Sequence, residues 1–561
     1  MTPLPLLQTF EKSLKDNYLL PALTDYVSGK TITYGEFAAK IAHIHILYKA
    51  WGIRRGDKVA ILGKNTSEWV SVFMATLTYG AVIVPILNDF NPLDAQHIVN
   101  HSEARLLFVN ESIFEHMDFS QMPKVEAAVS LDRSQVLEEA SPDSPRSFTK
   151  AFAAIPQVFK KVYRRGFTPE DIKYPKMDPD DLGILNYTSG TTGFSKGVML
   201  THNNINGNVQ FGVESRLHYK GSRALSFLPL AHAYGCAFDM LVPLAVGSHI
   251  TILGKTPTPH ILVKALAKVK PSLIICVPLI LEKIYRKMIA PMLAKKPLSW
   301  VLAVPLLDKA VYSRIRARLV EVFGGEFEEV IVGGAPLNPE VEDFLHKIKF
   351  PFTVGYGMTE CGPLISYTPW REFIPTSSGH TLRGIMTARI GNIDGDIKVD
   401  SNGEILVKGQ NVMKGYYKNP EATEAVLDPD GWLHTGDMGY LGGDDGQTIF
   451  IRGRYKTMIL SANGQNIYPE EIEAKLNNMP FVAESLVVER NGHLVALVYP
   501  DIEEADSQGY TLAQLEEYMN ERTRTDLNTK LAPYEKIEKI QLMPQEFEKT
   551  PKRSIRRFLY K

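Results

Sequence analysis

The sequence lacks the features that mark secreted, thiolate-metal and membrane-spanning proteins. Its 561 residues include only three cysteines, Cys236, Cys276 and Cys361, and none of them forms a CxxC pair. This argues against a disulfide framework and against a thiolate metal site. No apolar run reaches the length of about 18 residues that crosses a bilayer. The first ten residues show no basic segment followed by an apolar one, so we expect a cytoplasmic protein.

The sequence also has no excess of positive or of negative charge. The chain has 62 Lys and Arg against 63 Asp and Glu, a net charge of −1. Such a balance gives no general attraction to nucleic acid, and none is expected as a partner. The apolar stretch 297–307 (PLSWVLAVPLL) is too short to cross a bilayer, and it is the sequence's one candidate for peripheral membrane contact.

Short apolar runs alternate with helical patterns over most of the chain, and no internal repeat is visible. This order predicts a large α/β region with parallel strands covered by helices. The expected strands include residues 58–62, 105–109, 182–186, 272–277 and 329–332, and a helix is expected over 308–323. Residues 134–167 are expected to form a surface excursion.

The C-terminal part shows a different pattern after a Gly- and Asp-rich stretch at 428–445. A helix opened by Pro469 is predicted over 468–476, a hairpin turns at Asn491-Gly492, and a second helix follows over 512–531. We therefore expect a large N-terminal domain over 1–453 and a small α+β domain over 454–561.

Glycines, hydroxyls and one lysine follow the predicted strand 182–186. Residues 187–197 read YTSGTTGFSKG, in which Lys196 adds a positive charge. Backbone N–H groups and hydroxyls that converge in such a loop can hold phosphate oxygens. Lys196 does not directly follow a glycine, so this is not the Walker arrangement. A mobile surface loop is the alternative if this segment is taken alone.

The loop resembles the phosphate loop of the AMP-forming adenylating enzymes, which include acyl-CoA synthetases, firefly luciferase and peptide-synthetase adenylation domains. The family pattern is roughly YTSGTTGxPKGV, and Ser195 replaces its usual proline. Six further segments between residues 225 and 473 match the family in its order. The resemblance gives Lys196 a catalytic role and assigns to the nucleotide Thr188, Ser189, Gly190, Thr191, Thr192 and Gly193.

Three further segments resemble the family's acyl and adenine sites. In 226–235 (SFLPLAHAYG), the resemblance places His232, Ala233 and Tyr234 along the acyl pocket. In 332–336 (VGGAP), the turn formed by Gly334, Ala335 and Pro336 lies against adenine. In 354–362 (VGYGMTECG), the site residues implied are Tyr356 packed on adenine, Gly357 beside the nucleotide, Thr359 on the α-phosphate and Glu360 as the Mg²⁺ ligand.

Later segments extend the match toward the C-terminus. Asp437 in 431–439 (GWLHTGDMG) corresponds to the family's ribose-binding carboxylate, and Arg454 also reaches the ribose. Lys456 takes the hinge position, followed by Thr457 where aspartate is usual. In 461–473 (SANGQNIYPEEIE), Gly464 corresponds to the glycine at the tunnel for the pantetheine of coenzyme A.

The last segment departs from the family. A gapless match of 549–557 (KTPKRSIRR) to TPTGKIxR puts Ser554 where a lysine contacts the carboxylate and the α-phosphate. A serine cannot supply that charge. Lys552 is our candidate for the missing cation, with Arg553 as an alternative, because both side chains are long and flexible.

The resemblance implies ATP-dependent activation of an acid as its acyl adenylate, followed by transfer to coenzyme A, with Mg²⁺ as cofactor. Residues 313–336 look most like long-chain fatty acyl-CoA synthetases, so the expected partners are a fatty acid, ATP and CoA. Two alternatives remain: an acyl-AMP ligase that loads an acyl carrier protein, and a catalytically weakened nucleotide or acyl binder, suggested by Ser554.

Overall fold

Strands followed by helices make up most of the structure, a computed structural model that describes residues 4–142, 147–188, 195–294, 307–391, 403–460, 466–490, 492–550 and 555–560. The strands within these ranges are β1 Pro21–Asp25, β2 Thr31–Thr33, β3 Lys58–Leu62, β4 Val82–Ile86, β5 Leu106–Val109, β6 Ala127–Ser130, β7 Val136–Glu139, β8 Leu182–Thr188, β9 Lys196–Thr201, β10 Arg223–Ser226, β11 His249–Ile252, β12 Ile274–Cys276, β13 Val330–Val332, β14 Phe352–Val354, β15 Tyr356–Gly357, β16 Leu364–Ser366, β17 Met386–Gly391, β18 Gly403–Gly409, β19 Gly415–Tyr416, β20 Leu433–Gly442, β21 Thr448–Arg454, β22 Ile459–Leu460, β23 Asn466–Ile467, β24 Val482–Arg490, β25 His493–Pro500 and β26 Ile537–Leu542. The α-helices are Leu6–Asp16, Tyr34–Trp51, Ser67–Tyr79, Pro92–Ser102, Glu111–Phe114, Phe148–Val162, His202–Glu214, Ala233–Gly235, Val242–Val246, Pro259–Val269, Pro278–Ile284, Ala290–Ala294, Leu307–Val322, Pro339–Lys347, Pro420–Glu424, Pro469–Leu476, Ile502–Ser507, Leu512–Tyr518 and Arg524–Asn528.

The largest sheet has the order β19-β9-β8-β4-β3-β5-β6-β7. Strands β8, β4, β3, β5 and β6 are parallel neighbours, whereas β9, β19 and β7 run antiparallel to theirs. The parallel strands are apolar and buried, as helices on both sheet faces require. The predicted α/β class is confirmed, and the sheet mixes parallel and antiparallel strands, as the resemblance to the adenylating enzymes implied.

Within the described residues, four smaller sheets complete the large part of the chain and bring the site segments together, and one of them is the antiparallel pair β15-β16. Strands β12, β13 and β14 are parallel, so the segments that follow β13 and β14 leave the sheet at the same edge. Strands β10-β11-β1-β2 form a second sheet. Strands β17-β18-β20-β21 form an antiparallel sheet that ends at Arg454.

Most predicted elements appear within two or three residues of their expected bounds, but the helix expected over 512–531 is interrupted. A wider π-helical turn, Met519–Thr523, separates Leu512–Tyr518 from Arg524–Asn528. The side chain of Asn520 accepts from the N–H of Ile540 at 2.9 Å and donates to its carbonyl at 2.8 Å. The wider turn thus lies where the helix makes hydrogen bonds to the backbone of the edge strand β26.

The segment 134–167 is more than a surface excursion. It contains β7 and the helix Phe148–Val162, in which Phe148 is fully buried. The ring of Phe148 lies 4.9 Å from that of Trp51, and Phe159 stacks on His43 at 3.7 Å. This amphipathic helix is thus part of the core on one face.

Separate apolar clusters form on the two sides of residue 454. One cluster extends from Leu6 to Ile449, and a second extends from Ile467 to Ile540. The division into domains 1–453 and 454–561 stays a prediction, with which these clusters are compatible. Within the described ranges, no helix has the length and apolar character needed to cross a membrane.

Candidate active site

Lys196 stands at the start of β9, directly after the predicted phosphate loop. It pairs with Thr188 at the end of β8, so the two strands hold Thr188 and Lys196 side by side. The other loop residues predicted to bind nucleotide, Ser189 to Gly193, lie outside the described residues. Asn186 on β8 donates to the carbonyl of Ala231 at 3.0 Å and thereby joins this strand to the predicted acyl segment.

Glu360 lies in a short turn, Thr359–Cys361, whose backbone is fixed by other parts of the chain. The N–H of Met413 donates to the Glu360 carbonyl at 2.8 Å, and Asn208 donates to the Cys361 carbonyl at 3.2 Å. Thr359 is buried and Glu360 is half-buried. The turn therefore presents one carboxylate at a defined position.

Tyr416 joins Lys196 to Glu360, and the motif analysis did not identify it. Its hydroxyl donates to Oε1 of Glu360 at 2.8 Å, and Nζ of Lys196 lies 4.8 Å from the centre of its ring. Burial raises the pKa of Tyr416, and the charge of Glu360 raises it further. The segment 415–424 (GYYKNPEATE) contains no motif that would single out Tyr416 in the sequence.

A second group of side chains surrounds Asp437. The hydroxyl of Tyr356 donates to Oδ2 at 2.6 Å, and Nε of Arg454 lies 3.0 Å from Oδ1. Burial raises the pKa of Asp437, while Arg454 and the Tyr356 hydroxyl act in the opposite direction. Asp437 in turn raises the pKa of Arg454. Each carboxylate oxygen has a second lone pair, so Asp437 can still accept from a ligand.

Strand register explains how Asp437 and Arg454 meet. Strands β20 and β21 pair antiparallel with Asp437 opposite Arg454. The preceding turn is held by Thr435, which donates to the Ile405 carbonyl at 2.7 Å, and by Glu404, which accepts from the N–H of Gly436 at 2.9 Å. The predicted ribose residues are therefore neighbours because of sheet pairing.

The predicted adenine and acyl segments also meet. Tyr234 donates to the Ile331 carbonyl on β13 at 3.1 Å, and a Cβ at Gly333 would lie 3.0 Å from its ring. The exposed turn Gly334, Ala335 and Pro336 follows, with Gly334 at φ +86°. His232 caps the short helix that carries Ala233 and Tyr234.

The neighbouring strand β14 leads into Tyr356 and Gly357. The N–H of Gly355 donates to the Val332 carbonyl at 2.9 Å, which keeps this segment beside the turn after β13. A Cβ at Gly357 would lie only 2.3 Å from the Pro363 carbonyl oxygen, so glycine is required there. Tyr356 is thus held between the predicted adenine turn and Asp437.

The C-terminal predictions are only partly within the described chain. Lys456 is exposed in the turn Tyr455–Thr457, and the hydroxyl of Thr457 donates to Glu470 at 2.7 Å. Gly464, Lys552 and Ser554 lie outside the described residues. Nearby cations have partners of their own, since Lys549 lies 2.5 Å from Glu484 and Arg557 pairs with Glu473.

The arrangement provides a cation, a half-buried carboxylate and a second, buried carboxylate. Glu360 contributes to the raised pKa of Asp437 and to the raised pKa of Arg454. A carboxylate is the oxygen ligand that Mg²⁺ prefers when it also binds substrate phosphates, so Glu360 fits that role chemically. Bound Mg²⁺ would neutralise phosphate charge.

Known proteins that resemble this chain include several ligases that act on CoA. Residues 10–417 match the family described as AMP-binding enzyme. Long chain acyl-CoA synthetase 6, peroxisomal, of Arabidopsis thaliana is 31% identical over 536 residues, covering 88% of this chain and 72% of the relative. The 4-coumarate--CoA ligase CCL1 of Humulus lupulus is 28% identical, covering 83% and 78%. The crystal structure of the anthranilate CoA ligase AuaEII with anthranoyl-AMP has a TM-score of 0.77 at 20% identity, covering 99% of this chain and 97% of that one.

Proposed function

The chain belongs to the AMP-binding enzyme family, and we propose that it is an AMP-forming acid–CoA ligase whose acid is a long-chain fatty acid. The observation that carries the proposal is the convergence of Lys196, Glu360 and Asp437 from segments far apart in sequence. These groups match the phosphates, the metal ion and the ribose of one bound nucleotide. The chain-length assignment is supported by residues 313–336 and by relatives named long-chain acyl-CoA synthetases.

In the first half-reaction, a carboxylate oxygen attacks the α-phosphorus of ATP and pyrophosphate leaves. Lys196 offsets charge on the phosphates, and Glu360 would hold a Mg²⁺ ion that, when bound, would supply further positive charge. Asp437 accepts hydrogen bonds from the ribose, and Tyr356 together with the turn 334–336 lines the adenine. Positioning and charge stabilisation of this kind need no protein nucleophile.

In the second half-reaction, the thiol of CoA attacks the acyl carbon and AMP leaves. Before this attack, the C-terminal part turns about Lys456, which places Gly464 near the thiol in exchange for the tail that carries Lys552. The exposure of Lys456 and the polar contacts between the two parts of the chain support this step. Such a rotation is a hinge movement.

The test is to incubate the purified chain with ATP, Mg²⁺, CoA and an equimolar mixture of acids from acetate to oleate. Mass spectrometry then identifies the thioesters that form. We expect AMP, pyrophosphate and palmitoyl- or oleoyl-CoA as the main products. An acyl adenylate that persists with free CoA would favour a carrier-protein ligase. ATP binding without pyrophosphate exchange would favour the weakened binder.

An aromatic acid is the second candidate, because relatives of this chain include 4-coumarate–CoA ligases at comparable identity. The same mixture should therefore contain 4-coumarate and anthranilate. If the aryl thioesters dominate, the family assignment stands and the long-chain assignment is wrong. The two outcomes differ in product mass, so one experiment separates them.

A further inference from the structure

Tyr416 has a backbone that is fixed independently of its side chain. It lies opposite Val198 in the pairing of β19 with β9, and its N–H donates to Oγ1 of Thr423 at 2.9 Å. The preceding Gly415 has φ +142°, and a Cβ there would lie 2.8 Å from Thr423. The position of the Tyr416 backbone is therefore fixed by strand pairing and by Thr423.

The side chain of Tyr416 then contacts two opposite charges at once. Its hydroxyl donates to Glu360, and the Lys196 ammonium faces its ring. Only 7% of the residue is exposed. Lys196 and Glu360, both within the described ranges, do not approach each other within the 4.0 Å of an ion pair.

A direct pair between Lys196 and Glu360 would weaken both groups for catalysis. The ammonium would be directed to a carboxylate instead of phosphate oxygens, and the carboxylate would lose attraction for a cation. A neutral phenol between them prevents this, since its ring attracts the cation and its hydroxyl satisfies one carboxylate oxygen. The charge of Glu360 stays available on its other oxygen.

Building on the proposed function, we propose that Tyr416 is a positioning residue that orients Glu360 toward Mg²⁺ and holds Lys196 apart from it. The hydroxyl performs the first task and the ring performs the second. Tyr416→Phe therefore removes only the orientation of Glu360, whereas Tyr416→Leu removes both functions.

The next residue provides a matched control. The hydroxyl of Tyr417 donates to Glu103 at 3.1 Å, and Lys58 and Lys418 lie 5.3 Å and 5.1 Å from its ring centre. Tyr417 thus makes the same kinds of contact with charges that the proposed mechanism does not use. Tyr417→Phe reports the general cost of losing a tyrosine hydroxyl directly after this strand.

The experiment measures ATP binding by isothermal titration calorimetry, with excess Mg²⁺ and again in EDTA. For Tyr416→Phe we expect the Kd for MgATP to rise roughly tenfold, as for a lost hydrogen bond to a charged group. Binding of metal-free ATP should stay as in the wild type. Tyr416→Leu should weaken both forms, because Lys196 then pairs with Glu360, and Tyr417→Phe should change neither.

A kinetic measurement separates positioning from general packing. The Mg²⁺ concentration for half-maximal pyrophosphate exchange should rise in Tyr416→Phe, and the same substitution should have no further effect on it in a Glu360→Gln background. If Tyr416→Phe has the Mg²⁺ dependence of Tyr417→Phe, this inference is wrong while the proposed function stands. A wild-type chain that binds no MgATP would overturn both. Thermal unfolding of each variant confirms that it is folded, and the isosteric Tyr416→Phe decides the question if Tyr416→Leu does not fold.

Discussion

The nucleotide-side residues and the C-terminal residues are held in different ways. Glu360, Tyr416 and Asp437 sit on backbone tied by strand pairing and by bonds between distant segments. The described residues between 466 and 560 pack mainly around their own apolar cluster, and their contacts with the part before residue 454 include polar ones, such as Asn478 with Asn338 at 2.8 Å and Glu471 with Arg452 at 3.8 Å. A fixed binding site and an exchangeable attachment suit a two-step reaction.

The largest expected effect comes from the fixed side. Lys196→Met should lower kcat for pyrophosphate exchange by about 100-fold or more, because a preorganised cation is removed from the phosphates. Lys418→Met is the control, since Lys418 lies over Tyr417 as Lys196 lies over Tyr416. A loss of similar size in both variants would show that the effect is one of packing.

The C-terminal part contains a buried carboxyl whose ionisation opposes folding. Burial raises the pKa of Glu473 to about 7, although Arg557 and the N–H of Val487 act in the opposite direction. The carboxyl of Glu473 binds a proton more tightly in the folded chain than in the unfolded one. Protonation of Glu473 therefore stabilises the fold fully below about pH 4.5, and this stabilisation is lost as the pH rises through about 7.

Glu473→Gln removes this dependence. Between pH 5 and pH 8 we expect the free energy of unfolding of the wild type to fall relative to the variant by up to roughly 3 kcal/mol. Denaturant unfolding at the two pH values measures this, with the exposed Glu546→Gln as control. If the difference in unfolding free energy between the wild type and Glu473→Gln is the same at pH 5 and pH 8, the raised pKa of Glu473 is contradicted.

The family resemblance named Tyr356, Glu360, Asp437 and Lys196 as site residues, and the fold brings the segments that carry them together. Their roles stay predictions, and the side chains that hold them in place were not identified from the sequence. Tyr416 was missed because its role depends on the pairing of β19 with β9, more than 200 residues earlier. Tertiary pairing of this kind has no local signal.

The same reason explains the errors in the fold. The π turn at Met519–Thr523 contains Asn520, whose side chain bonds to the backbone of Ile540 on β26. The helix Phe148–Val162 is stabilised by distant aromatic partners, Trp51 and His43. In each case a long-range contact overrode the local pattern. The domain boundary and the roles of Gly464 and Lys552 stay predictions.

A moderate effect is expected at the ribose side. Asp437→Asn keeps one acceptor oxygen but removes the charge that Arg454 pairs with. We expect the Kd for AMP to rise roughly tenfold, as for the loss of charge-assisted hydrogen bonds. Asp445→Asn, at an exposed acid paired with His380, should leave AMP binding unchanged. Unchanged binding in Asp437→Asn would remove Asp437 from the site.

The smallest effect is expected at the attachment between the two parts. Asn338 and Asn478 exchange hydrogen bonds at 2.8 and 2.9 Å, and Asn338 also donates to the Ala474 carbonyl at 3.1 Å. Asn478→Ala should change the ratio of the adenylation and thioester-forming rates by a few-fold, because neutral hydrogen bonds contribute about 1 kcal/mol each. Asn477→Ala, which instead removes a contact to Ser485, should leave the ratio unchanged.

Both half-rates come from single-turnover experiments, one with ATP and acid and one with preformed acyl adenylate and CoA. An unchanged ratio in Asn478→Ala would mean that this amide pair does not help to set the orientation of the C-terminal part. An equal change in Asn477→Ala would point to the folding of the helix Pro469–Leu476 and the residues after it.

In the proposed mechanism, an acid oxygen attacks the α-phosphorus of ATP in the space between Lys196, Glu360 and Asp437. The most direct measurement uses a fatty acid labelled with ¹⁸O in both carboxylate oxygens, followed by mass spectrometry of the products. We predict one ¹⁸O in the phosphate of AMP and none in pyrophosphate. Label in inorganic phosphate, or AMP without label while thioester forms, would contradict it.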